Sequence, residues 1–525
     1  MKQELVNLQE YFDTLFKGID DNIILDEEQR TAILKEEENT MIIAGAGSGK
    51  TTTMAAKVKY LVDIKKVNPK HIVMISFTNK AVEELKTRIQ IELHVPCLIY
   101  TFHKFGLSLF ETKKKIMADS YSFVLEFFEE NLSKNKNLLK KFNHDFPTYF
   151  SLPKGWYLCK NLDQYYQYKK KYRNLFSKKT EAKDSYYQSF IQLCLQFIQK
   201  IKSKNKRIEE IVPRSKKEVI FVQFIHQLYN FYQTKLEQTN SIDFDDIIIK
   251  ATEQIKNKVL PYQYIIVDEY QDISYQRFLF IKRVCEVSKA KLIVVGDDFQ
   301  TIYSFSGSQI ELFTNFKQLV GKCNILKITN TYRNSQQLID VAGNFVMRNR
   351  CQIKKQLLSY KTLSQPITIV FYRDLNRIQK LYFCIQDIIK KYGENEKILL
   401  LGRYHFDIHP YLGKQMKLIR NRIYISCFPT LNITFLSVHS AKGLGFDQVI
   451  IINGNGGLHG FPSQVINHPI MELIEKEENS LLEERRLFYV ALTRTKNKVY
   501  ILTDRKNPSS FVLEIMNEKE VIVIK

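Results

Sequence analysis

Residues 41–54 read MIIAGAGSGKTTTM: an apolar run, a stretch of small residues and glycines, then a Lys-Thr pair. The pattern is Ala44, the four residues Gly45, Ala46, Gly47 and Ser48, and then Gly49-Lys50-Thr51. Glycines let successive backbone N–H groups turn toward phosphate oxygens at a helix amino terminus. Lys50 then reaches the outer phosphates of a nucleoside triphosphate and Thr51 offers a hydroxyl to Mg²⁺. Such a loop needs a carboxylate to hold the metal and a base to orient water. The stretch YIIVDEYQDIS supplies both, because Asp268 directly follows Ile265-Ile266-Val267 and Glu269 comes next. Two adjacent acids ending a buried strand are costly unless a cation or a reaction uses them. Asp268 is the expected metal partner, with Thr51, and Glu269 the expected general base. KLIVVGDDFQTIYSFSG ends in Gly296-Asp297-Asp298 and then Gln300, whose amide is placed to sense the γ-phosphate and the attacking water.

These residues need elements that deliver them to one edge. Short β-branched runs (TMIIAGAGSGK, HIVMISFTN, YIIVDEYQD, KLIVVGDD, ITFLSVHSAKG and DQVIIINGNG) end in polar residues and lead into helical patterns. Apolar strands alternating with helices predict parallel sheets covered on both faces, an α/β fold. Functional residues then gather at the carboxyl ends of the strands. From about Phe110 to Thr239 the texture turns Lys-rich, aromatic-rich and helical, which predicts a helical insertion, and a second α/β unit is expected from about Asn324.

The totals bound the function. A chain of 525 residues with 44% hydrophobic side chains is globular and too long for one ordinary core. Lys+Arg 78 against Asp+Glu 56 leaves a net charge of +22, a surplus that points to a polyanionic partner, nucleic acid first, or else to a Lys-rich solvated surface. Eight scattered cysteines have no CxxC spacing, so zinc is not expected and free thiols in a reducing compartment are. The amino terminus lacks the apolar run of a signal peptide, and no uncharged apolar segment reaches the roughly 18 residues of a membrane span. A cytoplasmic protein is the expectation.

The ordered segments LDEEQRTAI, AGAGSGKTT, ISFTNKAVEELKTRI, TFHKFG, DFDDII, IIVDEYQDIS, VVGDDFQTIYSFSG, TNTYRNSQQLI, FLSVHSAKGLGFDQVII and EERRLFYVALTRTKNKVYIL resemble the motifs of the UvrD/Rep group of superfamily 1 helicases, from Leu25 nearly to the carboxyl end. The resemblance implies an ATP-driven, Mg²⁺-dependent motor of two RecA-like P-loop domains that moves 3′ to 5′ on single-stranded DNA and works at single-strand/duplex junctions. It assigns residues 1–109 and 239–320 to the first motor domain, 110–238 to a helical basic insertion and 321–525 to the second. It implies nucleotide contacts along Ala44, Gly45, Ala46, Gly47, Ser48, Gly49, Lys50, Thr51 and Thr52. Gln29 would read the adenine and Tyr332 stack on it, with Arg333 and Arg494 as arginine fingers from the opposite domain. Strand contacts are implied for Phe77, Thr78, Asn79, His103, Tyr303, Phe305 and His439; aromatics suit that task because every base has a π-face.

Departures from the group's pattern are also informative. Relatives carry Arg where Thr52 stands and Glu where Gly445 stands, and Ser304 and Ser306 replace arginines. The interval from Arg333 to His439 has room for part of a motor domain and little more, so the accessory domain of full-length relatives is expected to be absent or vestigial. Compared with the helicase IV branch, an amino-terminal extension is also expected to be missing, and the carboxyl end leaves no room for a nuclease. In the insertion, YYQYKKKYRNLF (Tyr165 to Phe176) reads equally as a phosphate-and-base grip or as an amphipathic helix, and Trp156 as core or wedge. The alternative function is a nucleotide-switch subunit that binds DNA and controls a partner nuclease, as in bacterial anti-phage systems.

Overall fold

The computed structural model describes residues 2–110, 114–117, 119–132, 134–147, 149, 188–465, 467–475 and 480–525. Tyr165–Phe176 and Trp156 lie outside them.

The chain opens a sheet with β1 (Asn39–Ala44), β2 (Ile72–Ser76) and β3 (Leu98–Thr101). It then leaves for a mainly helical segment, in which the short strands β4 (Lys115–Ile116) and β5 (Ser241–Ile242) pair with each other. It returns with β6 (Tyr264–Val267), β7 (Lys291–Gly296) and β8 (Asn324–Ile328). The order is β3-β2-β6-β7-β1-β8 and every pairing is parallel. Alternation along β1 sends Ile42 and Ala44 into one apolar layer and Met41 and Ile43 into the other, so both faces are covered. The loops after β1, β6, β7 and β8 therefore converge on one edge.

A second sheet contains β9 (Ile367–Tyr372), β10 (Lys397–Gly402), β11 (Met416–Ile419), β12 (Arg422–Ile425), β13 (Phe428–Ser437), β14 (Phe446–Ile451), β15 (Thr495–Asp504) and β16 (Val521–Ile524). Its order is β11-β12-β13-β10-β14-β15-β9-β16, parallel except for the antiparallel ribbon β11–β12–β13. Here too Leu399 and Leu401 enter one layer while Ile398 and Leu400 enter the other. The interval 333–439 consists of the helix Gln336–Val346, β9, the helix Arg377–Tyr392, β10 and this ribbon.

One boundary differs from expectation. β8 lies within the segment 321–525 assigned to the second unit, but it pairs with β1, from Thr40↔Asn324 to Ala44↔Ile328, and belongs to the first sheet. It is an edge strand buried mainly at its last residue, Ile328, so its sequence carries little of the apolar signal of an interior strand.

Over its described residues the segment 110–238 is mainly helical. The helices Tyr121–Phe127, Lys136–Asp145, Gln188–Ser203 and Lys216–Gln238 share a core built on Phe127, Phe128, Phe142, Phe190, Phe221 and Phe224. It is fixed to the first sheet by Lys202, 2% exposed, whose ammonium lies 2.6 Å from Asp243 and 3.0 Å from Asp246 in the DFDDII segment. Its far side is closed by Ile470, Met471 and Ile474 from the carboxyl-terminal half.

The two sheets meet through the helix Ser480–Leu492, buried from Glu484 to Leu492. Arg486 on this helix donates to the Thr301 carbonyl at 2.7 Å, and Ala46, Phe299 and Ile302 of the first unit join the second unit's core. Among the described residues, no helix is long and apolar enough to cross a membrane.

Candidate nucleotide site and nucleic-acid interface

The loop after β1 turns through Gly47 (φ 74°) and Gly49 (φ 76°) into the helix Lys50–Asp63. Left-handed backbone is the reason for glycine at both positions. A Cβ at Gly47 would also fall 2.5 Å from the Arg333 Cβ. The TYR segment after β8 clasps the loop: Thr331 Oγ1 donates to the Ala46 carbonyl at 2.7 Å and Tyr332 N to that of Gly47 at 3.0 Å.

A cavity of about 410 Å³ opens between this loop and the second sheet, lined by Ala46 to Thr52, Glu84, Arg88, Glu269, Gln300, Tyr332, Arg333, Lys361, Gly443, Arg494 and Lys496. Six cationic side chains (Lys50, Arg88, Arg333, Lys361, Arg494, Lys496) face two carboxylates (Glu84, Glu269). Ala44 and Gly45 lie behind the wall. Gln29 also stands back from it, buried, with its amide donating to the Ser48 carbonyl at 3.0 Å and accepting from Asp26 N at 3.0 Å. Tyr332 is half-exposed and its hydroxyl donates to Asp26 at 2.6 Å.

The acids at the end of β6 differ from each other. Burial, and then the neighbouring Glu269, push the Asp268 carboxyl upward, toward its neutral form. For Glu269 burial acts in the same direction, but the Lys50 ammonium 3.8 Å away and then Lys442 outweigh it and hold the carboxylate ionised. Glu269 adopts left-handed backbone (φ 51°), a conformation uncommon for a residue with a side chain. Gln271 connects it to the next strand, donating to Glu269 and accepting from Asp297 N at 3.0 Å. Asp297 in turn accepts from Gln300 Nε2 at 2.6 Å, and Gln300 Oε1 accepts from Arg494 Nη2 at 3.1 Å.

Both arginines are brought to the cavity. Arg494 (1% exposed) and Arg333 each donate to the Leu444 carbonyl at 3.3 Å, and among the described residues neither makes an ion pair. Burial, and then the adjoining Arg333, pull Arg494 down to about 9, and burial lowers Arg333 as well. Two desolvated guanidiniums without a counter-ion define an anion site. Ser48 Oγ in the loop is likewise buried with no partner. Residues 25–321 match the UvrD/REP helicase N-terminal domain, and 425–506 the UvrD-like helicase C-terminal domain. The chain belongs to the UvrD/REP helicase family.

This helicase is 28% identical to DNA helicase IV of Escherichia coli (strain K12), over 99% of its own length and 73% of that protein's. It is 24% identical to a probable DNA helicase of Mycoplasma pneumoniae (91% and 83%). To the ATP-dependent DNA helicase Rep of Buchnera aphidicola it is 25% identical (91% and 68%).

The residues expected to contact a strand fall into two groups. Phe77 packs on Phe102 (5.0 Å) beneath the Arg277 guanidinium, Thr78 caps the helix Asn79–Lys86, Asn79 is exposed, and His103 packs on Phe244 (4.9 Å). Across from them, Tyr303 donates to the His439 carbonyl at 3.0 Å and Phe305, 69% exposed, meets the His439 ring edge-on at 5.4 Å. Ser304, at one of the lost arginines, is held by Glu483.

Sequence reasoning missed several residues of the helicase. Lys442 of the HSAKG segment crosses to the first unit, forming an ion pair with Asp272 and donating to the Gln300 carbonyl at 2.6 Å. Arg88 Nη1 donates to Thr52 Oγ1 at 2.6 Å, bringing a guanidinium beside position 52, where the family resemblance leads to the expectation of an arginine. Lys442 lies inside a quoted motif, but its partner is 170 residues away and unreadable locally.

Burial, with Arg277 and Arg403 respectively adding to it, lowers His103 and His439 to about 4. Both are neutral near pH 7, and their depressed values in the folded state stabilise it above pH ~6.5, the unfolded value. As pH falls from about 6.5 toward 4 the unfolded chain takes up protons that these sites refuse, so stability decreases. The urea midpoint should fall through that window, less steeply in His439→Gln. If the two curves coincide, the buried ring is not the cause.

Proposed function

We propose that this ATP-dependent DNA helicase moves 3′ to 5′ along single-stranded DNA, with Mg²⁺-ATP held between two RecA-like motor domains built on the two sheets. What carries the reading is the pair of guanidiniums, Arg494 buried and Arg333 partly buried, that make no ion pair among the described residues and face the Lys50 loop and Glu269. Glycine-loop N–H groups and Lys50 bind the phosphates, Tyr332 and Gln29 serve the adenine, and Glu269, kept ionised, accepts the proton of the attacking water. Gln300 orients that water, and the two arginines neutralise charge on the phosphoryl group as it transfers. Among the described residues no cluster of three or more His, Cys, Asp or Glu forms a metal cage. Asp268, whose buried carboxylate accepts from Glu269 N at 2.9 Å and makes no ion pair among the described residues, would hold a divalent ion together with Thr51, which lines the cavity; when bound, the ion would supply charge neutralisation there.

Movement follows from the same contacts. The arginines belong to the second unit while Lys50 and Glu269 belong to the first, so loss of the γ-phosphate removes the anion that draws the units together. Phe77, Thr78, Asn79 and His103 on one side and Tyr303, Phe305 and His439 on the other then grip the strand alternately. We assign 1–109 and 239–328 to the first motor, 110–238 to the insertion, and the rest to the second, without an accessory domain between Arg333 and His439. The setting is cytoplasmic repair, recombination, replication or defence, on single strands and junctions.

ATP turnover with and without an oligo-dT strand tests this, with Lys50→Ala as the blank. Strong stimulation lost in the mutant supports the motor. Turnover that stays flat until a second protein is added supports instead a nucleotide switch governing a partner nuclease. The observation favouring that alternative is Gly445, which puts no carboxylate beside Arg333, its ideal Cβ position being 3.3 Å from Arg333 Nε.

Arg88 covers the base face in place of an arginine at position 52. Arg88→Ala should raise KM for ATP about 10-fold with kcat retained, the scale of one cation–π or charged hydrogen-bond contact. Thr52→Arg in that background should recover most of the loss; no recovery would assign Arg88 another role.

A further inference from the structure

Between the helix Gln336–Val346 and β9 the chain returns to the first unit and lies along the ends of its strands. Lys327 Nζ donates to the Lys354 carbonyl at 3.0 Å, Leu358 bridges Asn330, and the Leu357 side chain fills the space at Gly45, where an added Cβ would fall 2.5 Å from it. From this segment Lys355, its side chain 2% exposed, enters the end of β7. Its ammonium donates to Asp297 and, at 2.5 Å, to Asp298, and lies 3.8 Å from the Phe299 ring centroid. Both carboxylates are fully buried. Asp298 also accepts from Gln352 Nε2 at 2.7 Å and Ile353 N at 2.8 Å, whereas Asp297 accepts at its other oxygen from Gln300 Nε2 at 2.6 Å.

A buried ammonium between two buried acids gives little stability over apolar packing, because all three groups lose their water. What it secures here is the direction of an amide. An ionised carboxylate only accepts hydrogen bonds, so Gln300 turns Nε2 to Asp297 and Oε1 to Arg494 Nη2, 3.1 Å away. A neutral carboxyl could donate instead, and the amide could turn over and set its own N–H₂ against the guanidinium. Burial opposes charge on Asp297, but Lys355 and then Lys50 outweigh it and hold the carboxyl below its ordinary value. We propose that Lys355 is a positioning residue for ATP hydrolysis, whose ion pair with Asp297 fixes the Gln300 amide with its oxygen toward Arg494 and the attacking water. The inference rests on the reading that Gln300 orients that water. Lys355 does not line the nucleotide cavity, so its effect falls on kcat.

Steady-state ATPase kinetics of the full chain with saturating oligo-dT, paired with melting temperatures, test it. Lys355→Met should lower kcat about 100-fold, the scale of a misplaced reacting group, with KM for ATP within about 3-fold. That variant leaves two buried acids uncompensated and should melt early, so Lys355→Met/Asp297→Asn, which keeps the net charge of the cluster, is measured beside it. Its melting temperature should return toward wild type while kcat stays at least about 10-fold low, because an Asn amide presents either an oxygen or an N–H₂ and lets Gln300 turn. Gln300→Ala should be slow, and adding the double substitution to it should lower kcat no further. A double variant with wild-type kcat beside a slow Gln300→Ala overturns the positioning role alone and leaves Lys355 a structural counter-charge. Losses that multiply in the triple variant overturn it too, since Lys355 would then act on another group. Wild-type kcat in Gln300→Ala overturns the reading of Gln300 and this inference with it.

Discussion

Replacing Arg494 by alanine should lower the DNA-stimulated kcat for ATP by about three orders of magnitude, about 4 kcal/mol of transition-state stabilisation, and leave KM within a few-fold. The guanidinium is buried and held by the Val490 and Leu444 carbonyls and the Gln300 amide, so it is rigid before any nucleotide arrives. A fixed cation costs no reorganisation when charge develops on the phosphoryl oxygens, which is why its effect falls on kcat. Arg494→Lys should recover little, because an ammonium on a flexible stem cannot keep the planar fork directed at both Gln300 and the phosphate. Thermal stability of the nucleotide-free protein should fall as well, because truncation leaves a cavity and takes a donor from three acceptors, so kcat is compared below the melting range of the variant. Steady-state kinetics decide: a rise in KM at constant kcat would make Arg494 a ground-state binding residue.

Lys442→Met should remove DNA stimulation by at least 10-fold and destabilise the contact between the two units by about 3–5 kcal/mol, the usual result of breaking a buried ion pair from one side. Lys442 and Asp272 are 6% and 3% exposed as side chains, and the same ammonium donates to the carbonyl of Gln300. It also lies 5.0 Å from the Tyr303 ring centroid, so one side chain connects the Gln300 loop to the Tyr303–His439 aromatic cluster. Burial raises Asp272 to about 6, with Lys442 opposing the rise. Without Lys442 that carboxyl is more readily protonated, so the single mutant's instability should be larger at pH 8 than at pH 6. The double variant Lys442→Met/Asp272→Asn should recover most of the stability and little of the stimulation. Urea unfolding of the four proteins in the cycle tests this; a double variant destabilised by the sum of the two single effects would show that the pair contributes no coupling.

The strand-end placement of the loop Gly45–Thr51, of Asp268 and Glu269 and of Gln300 was legible in the sequence because each follows an apolar run that pairs as an interior parallel strand. In such a sheet, strand ends converge whatever the intervening chain does. The insertion was legible for a related reason: its aromatic residues recur at helical spacing and pack into one core. β8 was less so, since an edge strand carries a weak apolar pattern, and its place beside β1 is a matter of pairing.

What the sequence alone determined is therefore local: a glycine loop ahead of a Lys-Thr pair, a pair of acids at a strand end, two α/β units and a helical segment within the first. The tertiary structure alone decided which distant groups complete it. Arg88 meets Thr52, Lys442 meets Asp272, and Arg333 and Arg494 share the Leu444 carbonyl with no ion pair among the described residues. The physical reason is range. Backbone turns, capping and strand burial are set within a few residues, whereas a desolvated charge is set by whatever the fold brings within about 4 Å of it, at any separation along the chain.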